Sequence, residues 1–317
     1  MPQPLVTVIL LNWNSADRTI ACIETLRDIA YDNFRIHLVD NGSTDSSADR
    51  LSHLEGVNFT QNPVNLGYTG GNNKAMHEAV TAGTDYVWLL NNDTVVPQDC
   101  LGRLVSLAET APEIGLVSPV IKDNDSVGAT QICCGIPDPH YPQWKLVTDV
   151  QDAIMAQQNE NGRLILYGTA LLIKRTVVEK IGYLDEKLFA YCEDYDYSIR
   201  SFRAGFKNIV AVDACVFHDT VADDDRKPYY FYLIARNYLI VARKNSNILR
   251  YWQYVWWRYH AGIDIVRNSS SRTQTDAYLA GWWDGIRGRG GPFNPPRSMP
   301  AAIRWALFPR SHMRKTD

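Results

Sequence analysis

The sequence predicts an α/β fold in which a mostly parallel sheet with flanking helices is followed by a helical, aromatic-rich C-terminal region. Short apolar segments rich in β-branched residues alternate with helix-like segments through the first third of the chain, as in strands joined by crossover helices. Polar residues come directly after these segments, where a parallel sheet binds its ligands. From residue 226 onward the composition becomes basic and rich in Trp, which indicates a separate region.

The first strands and helices can be placed from their apolar pattern. Strands are predicted at residues 5–11, 34–39, 57–60 and 86–90. Asn14 or Ser15 can cap a helix that runs toward Arg27, and another helix is expected at residues 73–82. Because strands and helices alternate, we expect right-handed crossovers and a doubly wound sheet. The polar residues that follow the strands then meet at one edge of the sheet.

Two domains are expected, at residues 1–225 and 226–317. Residues 121–163 are rich in Pro, Gly and polar residues, which predicts an irregular insertion. Regular structure is expected again at residues 167–173, and residues 229–267 have a helical, aromatic pattern.

The composition excludes several classes of protein. The chain has 317 residues, of which 45% are hydrophobic, so it can bury a substantial core. No apolar run is long enough to cross a bilayer, because Arg236 and Asn237 interrupt the run at 229–241. The N-terminal residues lack a signal-peptide pattern, and six Cys without CxxC spacing predict free thiols. We therefore expect a cytoplasmic protein with no nucleic-acid partner.

The charge is unevenly distributed along the chain. Residues 226–317 carry sixteen Lys and Arg against four Asp and Glu, and six of the nine Trp. A basic, Trp-rich region predicts peripheral contact with the inner face of the cell membrane, or with an acidic or lipid-linked partner. The alternative is that these aromatic residues form the core of a helical subdomain or a homodimer contact.

A first candidate site follows the strand at 86–90. Asn91, Asn92 and Asp93 place two amides and a carboxylate at the strand end. Oxygen ligands of this kind suit Mg²⁺ or Mn²⁺ that bridges a diphosphate. The alternative is an ordinary turn, because Asn and Asp are common turn residues.

A second group of residues suits a nucleotide. Asp40 ends a strand and can accept the N3–H of a pyrimidine, although Ser43, Thr44 and Asp45 could equally cap a helix. A glycine-rich loop at 65–73 can bring backbone N–H groups to phosphate or ribose, but it does not match GxGxxG. The candidate nucleotide-binding residues in these loops are Asn12, Asn14, Asp40, Gly42, Asn65, Gly67, Asn72 and Asn73.

The acids Glu193, Asp194 and Asp196 lie within one helical turn. Clustered carboxylates repel, which raises the pKa of at least one of them and allows a base that is active near neutral pH. The alternative is acids that favour a helix N-terminus, and spacing does not separate the two. His218 follows an apolar run at 210–217 and could ligate the same metal or hold a phosphate, although most isolated His do neither.

Taken in order, these segments resemble family 2 of the inverting glycosyltransferases with the Rossmann-like GT-A fold, in particular its rhamnosyltransferase-like branch. The resemblance rests on the whole set and extends over residues 5–240. The matching segments are residues 8–14, 39–45, 65–73, 89–93, 168–173, 182–186 and 193–196, with His218, Arg236 and Asn237.

The resemblance implies roles for individual residues. Asp40 would bind the nucleobase, and Asp93 would hold the metal with help from His218. Asp194, next to Glu193, would be the catalytic base. Arg236 would lie near the diphosphate.

Three further residues, Gly168, Thr169 and Tyr191, would border the sugar and the acceptor. The chain departs from the family at Asn91, which stands where the Asp-x-Asp element has its first acid. An amide oxygen can still ligate but carries no charge, so metal binding would be weaker.

The implied reaction is a single displacement with inversion, in which Asp194 takes a proton from an acceptor hydroxyl. Rhamnose from dTDP-rhamnose is the favoured donor, and a UDP-hexose or UDP-galactofuranose is the alternative. The acceptor would be a polysaccharide or a lipid-linked glycan. A dehydrogenase is disfavoured because GxGxxG is absent after the first strand, and a non-catalytic sugar-nucleotide-binding subunit because Glu193 and Asp194 are present.

Overall fold

The computed structural model describes residues 3–124, 128–138, 143–219, 226–268, 271–293 and 299–307. The chain divides into two compact units. The first comprises Met1–Pro137, Trp144–Asp185 and Glu193–Thr220, and the second Asp138–Gln143, Glu186–Cys192 and Val221–Asp317. The domain boundary expected after residue 225 adjoins residues 220–225, which are outside the described part of the chain.

The first unit contains a large sheet and a separate two-stranded sheet. Its strands are β1 (Val6–Asn12), β2 (Phe34–Asp40), β3 (Val57–Gln61), β4 (Tyr86–Asn91), β5 (Thr94–Val95), β6 (Ile114–Asp123), β7 (Thr130–Ile132), β8 (Cys134–Pro137), β9 (Trp144–Val147), β10 (Ala170–Lys174) and β11 (Lys207–His218). Its helices are α1 (Ala16–Arg27), α2 (Ser47–Ser52), α3 (Gly67–Thr81), α4 (Cys100–Ala108), α5 (Val150–Asn159), α6 (Arg175–Ile181) and α7 (Glu193–Arg203). The sequence therefore folds as the predicted α/β architecture.

The sheet has the strand order β3-β2-β1-β4-β10-β6-β11-β5, with β7 beside β6. The strands β3, β2, β1 and β4 run parallel, as predicted. However, β10 lies between β4 and β6 and is antiparallel to both. This reversal places the residues that precede β10 at the same edge as the end of β4.

Helices cover both faces of the sheet, which explains why its strands are apolar without alternation. On one face Val8 and Leu10 pack with Ile23 and Leu26 of α1. On the other face Ile9 packs with Met76 of α3 and its neighbours.

The segment 121–163, which was expected to be irregular, contains regular structure. β8 and β9 pair with each other, and α5 follows them. The carboxylate of Asp149 caps α5 by accepting the N–H groups of Gln151 and Asp152 at 2.8 and 3.1 Å. Only two residues of α5, Ala153 and Ala156, are buried, and so short an apolar stripe gives a weak helical pattern.

The second unit is helical, as predicted for the aromatic C-terminal region. It contains α8 (Pro228–Asn245), α9 (Ile248–Asn268), α10 (Arg272–Ile286) and α11 (Ala301–Leu307). α8 and α10 approach so closely that a Cβ atom at Gly281 would lie 2.1 Å from the backbone oxygen of Tyr232. Among the helices that the structure describes, none combines the length and hydropathy that a bilayer span requires.

The Trp side chains that the structure describes in this unit divide into two groups. Trp282 is buried and Trp283 partly buried in the helical core. Trp252, Trp256 and Trp257 are exposed on α9. The interpretation as a helical core therefore fits Trp282 and Trp283, and membrane contact through the exposed Trp residues stays a prediction.

Candidate active site

The carboxyl ends of three parallel strands meet at one edge of the first unit. Asn12 of β1 lies opposite Asp40 of β2, and Leu11 of β1 lies opposite Asn91 of β4. The residues predicted for the nucleotide and for the metal therefore occupy neighbouring positions in the sheet.

Asp40 organises the loop after β2. Its Oδ1 accepts hydrogen bonds from Asn12 Nδ2 at 2.9 Å and from Ser43 Oγ at 2.6 Å, and its Oδ2 accepts the N–H of Ser43 at 3.1 Å. Asn14, at a φ of 53°, donates its N–H to Ser43 Oγ and accepts the N–H of Thr44. Asp40 is fully buried, so it shapes this loop whether or not it also meets a nucleobase.

Gly42 allows the loop to pass close to the glycine-rich segment. It adopts a φ of +71°, and a Cβ there would lie 2.5 Å from the backbone carbon of Val64. Asn65 accepts hydrogen bonds from Asn41 at 3.1 Å and from the N–H of Gly67 at 2.7 Å. The two loops therefore form one hydrogen-bonded unit.

The predicted helix at 73–82 begins earlier, at Gly67, so Asn72 and Asn73 lie inside it. Both are buried, and Asn73 pairs with the backbone N–H and carbonyl of Leu184, each at 2.9 Å. Asn72 donates to the carbonyl of Tyr68 at 2.8 Å. These contacts assign both amides a part in packing, and their contact with the donor stays a prediction.

Asp93 and His218 come together beyond the ends of β4 and β11. Asp93 Oδ1 lies 3.4 Å from His218 Nε2, and Asn91 Nδ2 lies 3.5 Å from the same nitrogen. Arg18 of α1 approaches the other side of Asp93, at 3.5 Å from Oδ2. Burial alone would raise the pKa of Asp93, but the hydrogen bond and charge of His218, with the charge of Arg18, outweigh it and lower that pKa.

The side chains of Asp93, His218 and Asn91 fit as ligands of a hard divalent cation. They offer a carboxylate held in its ionised form, an imidazole and an amide. Within the described residues, no group of three or more His, Cys, Asp or Glu is arranged to hold a metal alone. Mg²⁺ sites in proteins commonly use one or two carboxylates and complete the coordination shell with phosphate oxygens and water.

The acids at the start of α7 have unequal environments. Asp194 is half-buried, and its oxygens accept the N–H groups of Gly168 at 3.2 Å and Tyr195 at 2.7 Å. Glu193 is 7% exposed, and its Oε2 has no hydrogen-bond partner in the described structure. The third acid, Asp196, is buried in an ion pair of 2.8 Å with Arg200.

Burial raises the pKa of both Glu193 and Asp194. For Glu193, desolvation and then repulsion from Asp194 raise the pKa to about 8. For Asp194, desolvation raises the pKa, and the N–H groups of Gly168 and Tyr195 oppose the rise. Near neutral pH Glu193 therefore keeps its proton, and Asp194 is the more accessible acid of the pair, with two backbone N–H donors that favour its ionised form.

Gly168 and Thr169 connect this acid pair to the end of β4. The carbonyl of Thr169 accepts the N–H of Asn91 at 2.9 Å, and the N–H of Gly168 points at Asp194. Tyr68 supports the link by donating its hydroxyl to the carbonyl of Gly168 at 2.7 Å. Sequence analysis missed Tyr68 and Arg18, because only the folded chain brings α3 and α1 to these groups.

Arg236 and Asn237 lie in the second unit, on α8, and are fully buried. Arg236 donates to the carbonyls of Leu188 at 2.8 Å, Lys187 at 3.3 Å and Gly291. Asn237 Nδ2 lies within 2.9 Å of the carbonyls of Leu188, Ala190 and Tyr191.

Arg236 and Asn237 bind carbonyls of a turn at residues 187–192, and the backbone of this turn is strained. Phe189, Tyr191 and Cys192 all have φ between 65° and 68°, which is unfavourable for residues other than Gly. The guanidinium of Arg236 thus donates to backbone carbonyls of this turn, and its position near a diphosphate stays a prediction. Tyr191, predicted for the acceptor side, packs edge-on against Tyr230 with ring centroids 5.0 Å apart.

Comparison with known proteins gives consistent relatives. Residues 7–182 match the sequence profile of glycosyl transferase family 2. The chain is similar to an N-acetylglucosaminyl-diphospho-decaprenol L-rhamnosyltransferase of Mycobacterium tuberculosis, with 26% identity over 70% of this chain and 76% of that protein. It is also similar to the dTDP-rhamnosyl transferase RfbF of Shigella flexneri, with 20% identity over 91% and 98% of the two chains.

The fold has counterparts among solved structures. The mannosyltransferase PcManGT from Pyrobaculum calidifontis, in complex with GDP-Man and Mn²⁺, superposes with a TM-score of 0.59. The match covers 90% of this chain and 87% of that chain at 15% identity, so it concerns the fold alone.

Proposed function

Since the chain belongs to glycosyl transferase family 2, we propose that this sugar-transferring enzyme of GT-A fold is inverting and metal-dependent. Its proposed donor is dTDP-rhamnose, and its proposed acceptor is a polysaccharide or a lipid-linked glycan. The observation that carries this proposal is the position of the half-buried Asp194. Its carboxylate accepts the N–H of Gly168, while the carbonyl of the next residue, Thr169, accepts the N–H of Asn91 beside the proposed metal ligand Asp93.

Asp194 acts as the general base. A base must be ionised and must reach the acceptor hydroxyl. Of the two acids, Asp194 is the more accessible and accepts two backbone N–H groups, which favour its ionised form. The two N–H groups that it accepts fix its orientation. Because Glu193 keeps its proton, it adds no second negative charge beside the attacking oxygen. Attack from the face opposite the leaving group then inverts the anomeric centre.

Asp93 and His218, with the amide of Asn91, would hold Mg²⁺ or Mn²⁺ against the donor diphosphate. When bound, the cation supplies several kcal/mol of charge stabilisation for the leaving group. Arg18 places a further positive charge beside Asp93, which would attract the donor diphosphate but does not replace the negative charge missing at residue 91.

The loops after β1 and β2, with the glycine-rich loop, form the proposed nucleotide-binding surface. Asp40 Oδ2 receives one hydrogen bond from Ser43 and keeps acceptor capacity for a pyrimidine N3–H. Thymine and uracil both carry that group, so Asp40 does not distinguish dTDP from UDP. The preference for dTDP-rhamnose rests on the two rhamnosyltransferase relatives, and UDP-hexose or UDP-galactofuranose is the alternative.

The proposed acceptor also follows from a relative, since the mycobacterial protein bears the name of a decaprenol-linked substrate. We propose that the enzyme works in the cytoplasm at the inner face of the membrane, without spanning it. A non-catalytic sugar-nucleotide-binding subunit would have no need of the acid pair at the start of α7.

Thermal shift with a panel of nucleotide sugars tests the donor. A ligand at a hundred times its Kd adds about 2.7 kcal/mol of stability, so dTDP-rhamnose with Mn²⁺ should raise the unfolding temperature more than dTDP alone. A shift with UDP-sugars only would reject the rhamnose proposal. NMR of the product's anomeric configuration tests inversion, and Asp194→Asn serves as the control that binds donor but does not turn over.

A further inference from the structure

The helix α9 carries an apolar face that the second unit leaves uncovered. Trp252, Trp256 and Trp257 are 52%, 64% and 47% exposed, and Ile248 and Leu249 are 73% and 67% exposed. Their spacing of four and eight residues puts them on one side of the helix. Leu249, the three Trp and His260 line an open groove of about 670 Å³.

The opposite side of α9 is firmly packed. Tyr251, Tyr254 and Val255 are buried in the core that α9 forms with α8 and α10. Because that side holds the helix in place, the exposed Trp cannot turn inward without breaking the core. The packing of the opposite side therefore keeps these Trp side chains exposed in the folded protein.

Positive charge lies beside the first turns of this face. The acid Asp264 is exposed farther along α9, so the basic residues are gathered at its start. Arg250 lies within the exposed first turn of α9, and Arg243 and Lys244 are exposed at the end of α8. The guanidinium of Arg243 lies 5.8 Å from the ring centroid of Tyr251, which places the basic end of α8 beside the start of α9.

We propose that this face, defined by Ile248, Leu249, Trp252, Trp256 and Trp257, docks the enzyme on an anionic lipid bilayer. α9 lies in the plane of the interface, where Trp rings favour the headgroup level and basic side chains meet lipid phosphates. The inference rests on the proposed function in one respect, because a lipid-linked acceptor would be presented at such a surface.

The charges favour a bilayer over a second copy of the chain. A two-fold contact places the same patch on both partners, so Arg243, Lys244 and Arg250 would face an equally basic surface. Like charges brought together weaken such a contact. An anionic bilayer presents negative charge to the same residues. Arg258 takes no part, because its guanidinium lies over Tyr238, 4.6 Å from the ring centroid.

Vesicle sedimentation of the full-length chain tests the proposal. Vesicles of phosphatidylglycerol and phosphatidylcholine in equal parts should bind the enzyme at low salt and release it at high salt, and vesicles of phosphatidylcholine alone should bind it weakly. The triple variant Trp252→Gln, Trp256→Gln, Trp257→Gln should lower partitioning by more than about tenfold. Arg250→Glu should lower it by at least about fivefold, since one basic residue near an anionic surface is worth about 1 kcal/mol.

Two control variants carry the same kinds of substitution at exposed positions away from this face. Leu146→Gln with Met155→Gln removes apolar side chains that are 47% and 50% exposed in the first unit, and Arg272→Glu reverses a charge whose side chain is 88% exposed on α10. Both control proteins should bind vesicles as the parent does. Brominated lipid should quench Trp fluorescence in the parent and not in the triple variant.

Three results would overturn the proposal: equal vesicle binding by all variants, no binding at any salt concentration, or a vesicle-free dimer that the triple Trp variant abolishes. The dimer is measured by analytical ultracentrifugation. The donor-induced thermal shift separates this proposal from the proposed function. If the shift persists while vesicle binding fails, the membrane surface is wrong and the donor site stands.

Discussion

The acid at the end of β4 and the acids at the start of α7 are both largely removed from water, yet their pKa values move in opposite directions. Asp93 has His218 and Arg18 beside it, and its pKa is lowered. For Glu193 and Asp194 desolvation is the largest cause and raises both pKa values, and repulsion from Asp194 adds to the rise for Glu193. Positive neighbours that outweigh desolvation thus decide whether a carboxylate suits holding a cation or moving a proton.

Removing Asp93 should have the largest effect. Asp93→Ala leaves His218 and Asn91 without a charged partner for the metal, and the lost charge stabilisation should slow transfer by more than about 10³-fold. Chelation of the parent protein should do the same until Mg²⁺ or Mn²⁺ is restored. Asp213→Ala, an exposed change on the strand that carries His218, is the control. Full activity in excess chelator would reject the metal role.

Neutralising Asp194 should come next. Asp194→Asn keeps the shape of the side chain but cannot accept the proton, so turnover should fall by about 10² or more while the donor-induced thermal shift remains. The comparison variant is Glu193→Gln, which mimics the protonated state and should be mild. If Glu193→Gln loses most of its turnover and Asp194→Asn loses little, the base is Glu193 and not Asp194.

Glu193→Gln should have its clearest effect on stability as a function of pH. Because the folded pKa of Glu193 is raised from 4.5 to about 8, its protonation stabilises the folded protein at low pH. That contribution is lost as the pH rises through this window. A pKa difference of one between the folded and unfolded states corresponds to about 1.4 kcal/mol, so the parent should lose a few kcal/mol relative to the variant between about pH 5 and pH 8.

Denaturant unfolding at several pH values measures this difference. Glu179→Gln, whose side chain is 54% exposed, should follow the parent. If the Glu193→Gln protein and the parent show the same pH dependence of unfolding free energy, Glu193 does not hold its proton in the folded state.

Tyr68→Phe should have the smallest effect. It removes the hydroxyl that supports the Gly168 carbonyl, and one hydrogen bond is worth about 0.5 to 1.5 kcal/mol. We expect kcat to fall severalfold with KM for the donor unchanged, because Tyr68 positions Asp194 through Gly168. Tyr31→Phe is the control, since the Tyr31 hydroxyl donates to the carbonyl of Pro4. A change confined to KM would contradict the positioning role.

The strand ends were predictable because local patterns encode them. The four predicted strands each agree with β1 to β4 within one residue at either end, since a buried parallel strand is a continuous apolar run that stops at a polar residue. The polar residues at those ends, Asn12, Asp40 and Asn91, could therefore be assigned to one edge of the sheet from the sequence.

Other features depend on contacts that sequence spacing does not contain. The antiparallel direction of β10 is set by its pairing with β4 and β6, while its apolar residues would suit either direction. The burial of Arg236 against backbone carbonyls had no sequence signal, because an Arg on a helix usually faces solvent. Spacing in the acid cluster likewise did not reveal the unpartnered oxygen of Glu193 or the two N–H groups that Asp194 accepts.

The position of β10 also affects the order in which the sheet can form during synthesis. The strands β1 to β4 and β6 all leave the ribosome before β10, yet β10 lies between β4 and β6. A nascent chain that ends before residue 170 therefore lacks the strand that joins β4 to β6 in the sheet. Because chains emerge from the N-terminus, the strands behind the nucleotide loops can assemble first. The acid pair follows β10 in the chain, so Asp194, the proposed catalytic base, is synthesised only after the strand that closes the gap in the sheet.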